Sequence, residues 1–183
     1  MPNTSGPQRK PSAGRSTATP TRARAASAGR DASAQLDAFL DQYTPDIAAQ
    51  ARVALRTMRA RLPGAVELVY DNYNALAIGF GPSERTSEAI FSIALYPRWV
   101  SLFFLINGAR LHDPDCYLEG AGNQVRHIKL ECAASLDDPA VRELMAQALE
   151  LSPKAIDPAQ RRRLIIKSVS AKQRPRRPSA AES

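Results

Sequence analysis

The sequence predicts an α+β fold in which helices pack on one face of an antiparallel sheet of about five to six strands. Short apolar runs separated by turn signals occupy the middle of the chain, at roughly 66–80, 89–105 and 125–131. Segments with helical periodicity lie on both sides of these runs. Strands grouped together and flanked by helices are typical of an α+β domain, because helices and sheet each need a partner layer to cover their apolar faces.

A hairpin in the middle of the chain anchors this prediction. The apolar runs Ala89–Tyr96 and Trp99–Leu105 are separated only by Pro97 and Arg98. Two such runs around a short turn predict paired antiparallel strands, and proline presets φ for the first central position of a tight turn. The second run is apolar on both faces, which favours a central strand covered by helices on at least one side.

Two helices are predicted before the strands and one after them. The first begins at Ser33, and the second begins at Thr44-Pro45, where a capping residue precedes a proline. The second helix ends at Pro63-Gly64, and Asp138-Pro139 starts the third. Apolar residues recur in each segment with the spacing of one helix face; in the first helix they are Leu36, Phe39, Leu40 and Tyr43.

The remaining strands are predicted from short alternating runs. Val66–Tyr70 and Ala75–Phe80 form a pair joined by a turn whose Asp and Asn residues favour chain reversal. Val125–Glu131 and Leu164–Val169 complete the set. The predicted element order is therefore ααβββββαβ.

The net charge of +7 is unevenly distributed. Residues 1–30 carry +6, residues 31–160 carry −6 and residues 161–183 carry +7. Because residues 1–32 contain almost no large apolar side chain, we predict a disordered basic tail there, a domain at 33–170, and a second disordered basic tail at 171–183. Such tails solubilise a domain, or alternatively bind nucleic acid without sequence preference.

The sequence contains no apolar run long enough to span a bilayer and no secretory signal, so we expect a cytoplasmic protein that makes no membrane contact. Cys116 and Cys132 are expected to be free thiols. Together with His112 and His127 they invite a zinc interpretation, but no CxxC or tight histidine pair is present. The sequence also lacks GxSxG and phosphate-loop motifs. We therefore predict a non-enzymatic module that binds a ligand or a protein partner.

Two local clusters are candidates for its ligand-binding surface. In the first, Gly120 and Gly122 precede Arg126, and backbone N–H groups of a glycine turn beside an arginine can hold an anion. Alternatively, Arg126 forms a salt bridge that closes the sheet edge. The second cluster is Tyr70, Asn72 and Tyr73, which either lines a pocket with aromatic walls or simply forms a turn.

A metal site is the alternative function. Asp37, Asp41 and Asp46 lie along the first helix and at the entry to the second. Carboxylates of this kind bind iron(II), manganese or calcium. The other interpretation is that these three side chains form an ordinary solvated helix face.

Several stretches resemble the YdhG-like domain family of bacteria. They are Val66–Phe80, the hairpin Phe91–Leu105, the sequence EGAGNQVRHIKL at Glu119–Leu130, and SVSAKQRPRR at Ser168–Arg177. The resemblance covers roughly Ser33 to Arg177. It implies a small α+β domain similar in architecture to frataxin, and some relatives are described as intracellular iron chaperones. Frataxin-type iron(II) binding needs an acidic ridge, for which Asp37, Asp41 and Asp46 are the candidates, so the resemblance supports the fold more than the function.

Overall fold

A computed structural model describes the backbone of residues 20–178 and the side chains of residues 29–178. Its three helices are α1 (Pro20–Leu40), α2 (Pro45–Arg61) and α3 (Pro139–Glu150). Its six strands are β1 (Val66–Asp71), β2 (Leu76–Gly81), β3 (Phe91–Leu95), β4 (Val100–Phe104), β5 (Arg126–Leu130) and β6 (Arg163–Val169).

The strands form one open sheet in the order β5-β4-β3-β2-β1-β6. The predicted α+β class is confirmed, although the sheet is mixed. β1 to β5 pair antiparallel in chain order, whereas β6 pairs parallel with β1. The connection from β5 to β6 contains α3, and a crossover of this length lets a strand return in the direction of its neighbour.

One face of the sheet, here called the core face, packs against the helices. Cross-strand partners put Val69, Ile78, Ile93, Leu102 and Ile128 in one row on this face. All five belong to the same buried cluster as the apolar residues of α1, α2 and α3. The helices therefore cover the core face, as the period of two in the strands predicts.

The opposite face, here called the second face, has small residues in β2 and β3 and larger side chains in β4 and β5. Gly79, Ser92, Phe103 and His127 lie in register across it. Ala89, at the end of the loop after β2, approaches Gly79. No residue of this row belongs to the cluster that the helices cover.

The first helix begins earlier than the sequence predicts. It starts at Pro20, so residues 20–32, which the sequence predicts as part of a disordered tail, are helical. Ala and Arg dominate this stretch and are among the strongest helix formers. Since the packed residues Leu36, Phe39 and Leu40 already fix a helical turn, the helix extends without the cost of a new nucleus. The rest of that predicted tail, residues 1–19, lies outside the described residues.

The C-terminal segment, defined as residues 170–178, also differs from the prediction of a disordered tail at 171–183. It docks at the end of β1, where Ser170 N donates to Asp71 O at 2.8 Å and Arg174 N donates to Tyr73 O at 2.9 Å. The Arg176 side chain is buried against Asp71. A carboxylate buried on the core face is costly unless it is paired, and the segment supplies the partner. Residues 179–183 lie outside the described residues.

Within residues 20–178, no helix is both long and apolar enough to cross a membrane.

Candidate ligand-binding cleft

A cleft of about 640 Å³ opens at the end of the sheet where the C-terminal segment docks. β1, β3 and β6 finish at this end and β2 and β4 begin there, because neighbouring strands alternate in direction except for the parallel β6. The β1–β2 turn, the β3–β4 turn and the C-terminal segment therefore converge. The lining residues come from all three: Asn74, Tyr96, Pro97, Arg98, Trp99, Arg174, Pro175, Arg177 and Pro178.

The β3–β4 turn supplies an aromatic wall. Tyr96 N donates to Trp99 O at 2.9 Å, which closes a turn around Pro97 and Arg98. The rings of Tyr96 and Trp99 stack with centroids 4.9 Å apart and planes 22° apart. Trp99 remains 36% exposed, and a stacked aromatic pair held by a tight turn presents a rigid surface for a planar group.

The lining is basic, and none of the nine residues is acidic. The Arg177 guanidinium donates to the backbone carbonyls of Asp41, Gln42 and Tyr43 at 3.1–3.2 Å, which fixes it at the junction of α1 and α2. Arg174 is held through its backbone N–H, and its side chain is exposed. Arg98 is exposed in the β3–β4 turn.

Arg174 and Arg177 of the C-terminal segment form the basic wall of the cleft. A buried ion pair made by the same segment holds this wall in place. Arg176 Nη2 lies 2.7 Å from Asp71 Oδ1 and donates to Asn72 O at 2.5 Å. Gln173 Nε2 donates to the other carboxylate oxygen of Asp71, and the guanidinium lies 5.7 Å from the Tyr43 ring centroid. Nε and Nη1 of Arg176 are buried without a hydrogen-bond partner among the described residues. The guanidinium is therefore held at one edge by the polar contacts of Nη2 and across its face by the Tyr43 ring.

Tyr43 connects this pair to the sheet. Its hydroxyl donates to Leu95 O at 3.1 Å and accepts from Leu76 N at 3.0 Å. Burial raises the pKa of Tyr43 to about 12, against a smaller lowering by Arg176. The hydroxyl therefore stays protonated near neutral pH and bridges the start of β2 and the end of β3, beside the cleft.

In the predicted cluster Tyr70, Asn72 and Tyr73, the last two lie beside the cleft, and none of the three lines it. Asn72 contacts the C-terminal segment through its carbonyl, and Tyr73 does the same while remaining 52% exposed. The Tyr70 hydroxyl lies 2.5 Å from Thr86 Oγ1. The β1–β2 turn reaches the cleft through its neighbour Asn74.

The predicted cluster Gly120, Gly122 and Arg126 lies elsewhere. Arg126 begins β5, four strand positions from β1 or about 19 Å across the sheet, and it lies at the opposite end because β1 and β5 run in the same direction. Its Nη1 donates to the carbonyls of Gly122 and Val125. The structure therefore does not bring the two predicted clusters together into one surface, and Arg126 binds the carbonyls of its own loop.

The predicted metal ligands Asp37, Asp41 and Asp46 do not assemble into a ligand set. Asp41 Oδ1 pairs with Arg52 Nη2 at 2.5 Å. Among residues whose side chains the structure describes, no group of three or more His, Cys, Asp or Glu is arranged to hold a metal ion. Cys116 and Cys132 are exposed free thiols. Iron(II) binding stays a prediction, which an anaerobic titration of the full chain checks.

Sequence reasoning missed most of the cleft, namely Tyr96, Arg98, Trp99, Arg174 and Arg177. One signal was available, since Pro97 and Arg98 at a hairpin turn leave the flanking aromatic rings near the sheet end. The basic side of the cleft, formed by the C-terminal segment, carries no comparable signal, because its run KQRPRRP has the composition of a disordered tail. Its order depends on Asp71, about a hundred residues away in sequence.

The fold and the cleft define an α+β domain with an aromatic and basic cleft at one end of a mixed six-stranded sheet. Comparisons of the chain with protein-family models, with curated proteins and with solved structures found no match in any of the three. The resemblance to the YdhG-like family therefore stays a prediction.

Proposed function

We propose that this chain is a non-enzymatic binding domain that takes an anionic ligand carrying a planar ring into the cleft. The observation that carries the proposal is the lining itself, in which three arginines and a stacked aromatic pair converge without an acidic side chain. The volume of about 640 Å³ falls in the range of small-molecule sites.

The two walls suit two parts of such a ligand. Arginine presents a planar fork of N–H donors that matches phosphate and carboxylate groups. Tyr96 and Trp99 offer ring faces and edges for stacking. A nucleoside monophosphate combines both parts, with an aromatic base and a phosphate joined by a sugar.

The chemistry of the lining supports binding rather than catalysis. Guanidinium groups stay protonated at neutral pH and do not act as acid or base. The other lining residues are prolines, an asparagine and the two aromatic residues of the β3–β4 turn. These groups orient a ligand and neutralise its charge.

Trp99 is the only tryptophan of the chain, so its fluorescence reports directly on the cleft. We expect adenosine 5′-monophosphate to change the Trp99 emission in a saturable way at low salt, and adenosine to bind more weakly. Arg174→Ala should weaken the monophosphate about tenfold, the effect of one charge-assisted hydrogen bond. Lys172→Ala is the matched control, because Lys172 is an exposed base of the same segment that does not line the cleft.

Two results would contradict the proposal. One is a Trp99 emission that does not change up to millimolar monophosphate. The other is equal binding by Arg174→Ala and Lys172→Ala. Either variant is expected to fold, since Arg174 contacts the β1–β2 turn through its backbone N–H, which the substitution retains.

A further inference from the structure

Aromatic and basic side chains continue from the cleft along the second face of β4 and β5. We call Trp99, Phe103, His127 and Lys129 the strip. Phe103 and His127 are cross-strand partners whose rings stack with centroids 5.0 Å apart and planes 15° apart. Lys129 Nζ lies 5.5 Å from the Trp99 ring centroid. Trp99 belongs to both the cleft and the strip, so the two surfaces are continuous.

The strip is partly open to solvent. The helices pack against the core face, and none of the four strip residues belongs to the buried cluster that they form. Trp99 and Lys129 are exposed, and Phe103 and His127 are half-buried. A sheet face that carries exposed rings beside cations is a favourable surface for unpaired bases, because bases stack on rings and cations neutralise phosphates.

We propose that the ligand of this domain is a single-stranded nucleic acid, with one nucleotide in the cleft and the strand continuing along β4 over the strip. This inference rests on the proposed function, because the cleft is its first nucleotide site. Charge complementarity favours this occupant over a protein segment. Arg98, Arg174 and Arg177 line one end and Lys129 lies beside the path.

The length of β4 and the acidic residues beside β5 define the path of the bound strand. Trp99 and Phe103 are four residues apart on an extended strand, about 14 Å, which is the rise of about four stacked nucleotides. Glu119 pairs with β5 on its outer side, 3.6 Å from His127 Nε2, and Glu131 directly follows β5. The phosphates are therefore expected along β4, away from the outer edge of β5.

The test compares a labelled eight-nucleotide oligothymidylate with thymidine 5′-monophosphate on the full chain. Fluorescence anisotropy of the label measures binding of the oligonucleotide, and Trp99 emission measures binding of the mononucleotide. We expect the oligonucleotide to bind at least tenfold more tightly, since it adds stacking and phosphate contacts on the strip. An eight-base-pair duplex should bind more weakly than the single strand, because its bases are already stacked.

Two variants in the strip distinguish a strand that lies on the sheet from one held only by the basic tails. Phe103→Leu removes the ring but keeps an apolar side chain, and should weaken the oligonucleotide about tenfold without changing mononucleotide binding. Lys129→Ala should weaken it and reduce the salt dependence by about one phosphate contact. Arg56→Ala is the matched control, since Arg56 is exposed on α2, across the sheet from the strip.

The inference is overturned if Phe103→Leu and Lys129→Ala bind the oligonucleotide like the unmodified chain, or if the duplex binds as tightly as the single strand. Binding driven only by basic tails would give these results, because tail contacts do not depend on the Phe103 ring. Mononucleotide binding at the cleft would survive such an outcome. Failure of the proposed function would instead abolish the response to the mononucleotide.

Discussion

Arg176→Met should strongly destabilise the fold, because it leaves the Asp71 carboxylate buried without its cation. The side chains of Arg176 and Asp71 are only 3% and 2% exposed, and their closest atoms are 2.7 Å apart. Methionine retains much of the apolar stem of arginine but removes the charge and the hydrogen bond to Asn72 O. The substitution therefore removes the polar contacts of Arg176 while keeping much of its apolar packing.

The expected magnitude follows from the burial of both partners. Removing one partner of a buried pair costs about 3–5 kcal/mol, since the remaining charge is desolvated and uncompensated. With a urea dependence of about 2 kcal/mol per molar, a loss of about 4 kcal/mol lowers the unfolding midpoint by about 2 M. The contact between the guanidinium and the Tyr43 ring is lost at the same time.

Urea unfolding followed by circular dichroism measures this shift. Lys172→Ala is the matched control and should stay within about 0.5 kcal/mol, since it alters an exposed base of the same segment. The double variant Asp71→Leu with Arg176→Met should recover most of the loss, because it leaves no buried charge at this site. An Arg176→Met midpoint equal to that of the control would refute the buried pair as a source of stability.

Two further predictions concern the buried hydroxyl of Tyr43 and the tight packing at Gly64. Because burial raises the pKa of Tyr43 to about 12, its contribution to stability is complete below pH 10 and lost as the pH rises from 10 to 12. The free energy of unfolding should fall by about 1.4 kcal/mol more between pH 9 and pH 11 in the unmodified chain than in Tyr43→Phe, and equal falls would contradict the assignment. Gly64→Ala should cost about 2 kcal/mol or more in thermal or urea unfolding, because Gly64 has a φ of +78° and a Cβ there would overlap the Asp157 carbonyl. Gly122→Ala, with nothing within 4 Å of the added Cβ, should change little, and equal losses for the two glycines would contradict the packing at Gly64.

Local patterns in the sequence predicted most elements of the fold. The hairpin of β3 and β4 is confirmed, and Asp138 caps α3 through a bond from Ala140 N at 2.8 Å. The parallel pairing of β6 with β1 was not predictable from periodicity, because alternation identifies a strand but not its neighbour. The early start of α1 was missed since apolar spacing, rather than helix propensity, set the boundary at Ser33.

The candidate site was predicted less well, for a physical reason. Tyr73 and its turn lie next to the cleft, whereas Arg126 lies at the other end of the sheet. Each cluster was found by local composition, and composition does not reveal which turns converge in space. The order of the C-terminal segment depends on one buried acid, Asp71, whose need for a partner becomes visible only when its strand is placed in the core.

The link between Asp71 and Arg176 also affects the timing of folding. Their positions differ by 105 residues, which takes about 5–20 s to synthesise at typical rates of translation. During that interval the nascent chain contains β1 with Asp71 but not yet the positive charge of Arg176. Contacts between residues so far apart in sequence also make folding slower. The last step in forming the native state is therefore expected to be closure by the C-terminal segment, after the helices and the hairpin have already assembled.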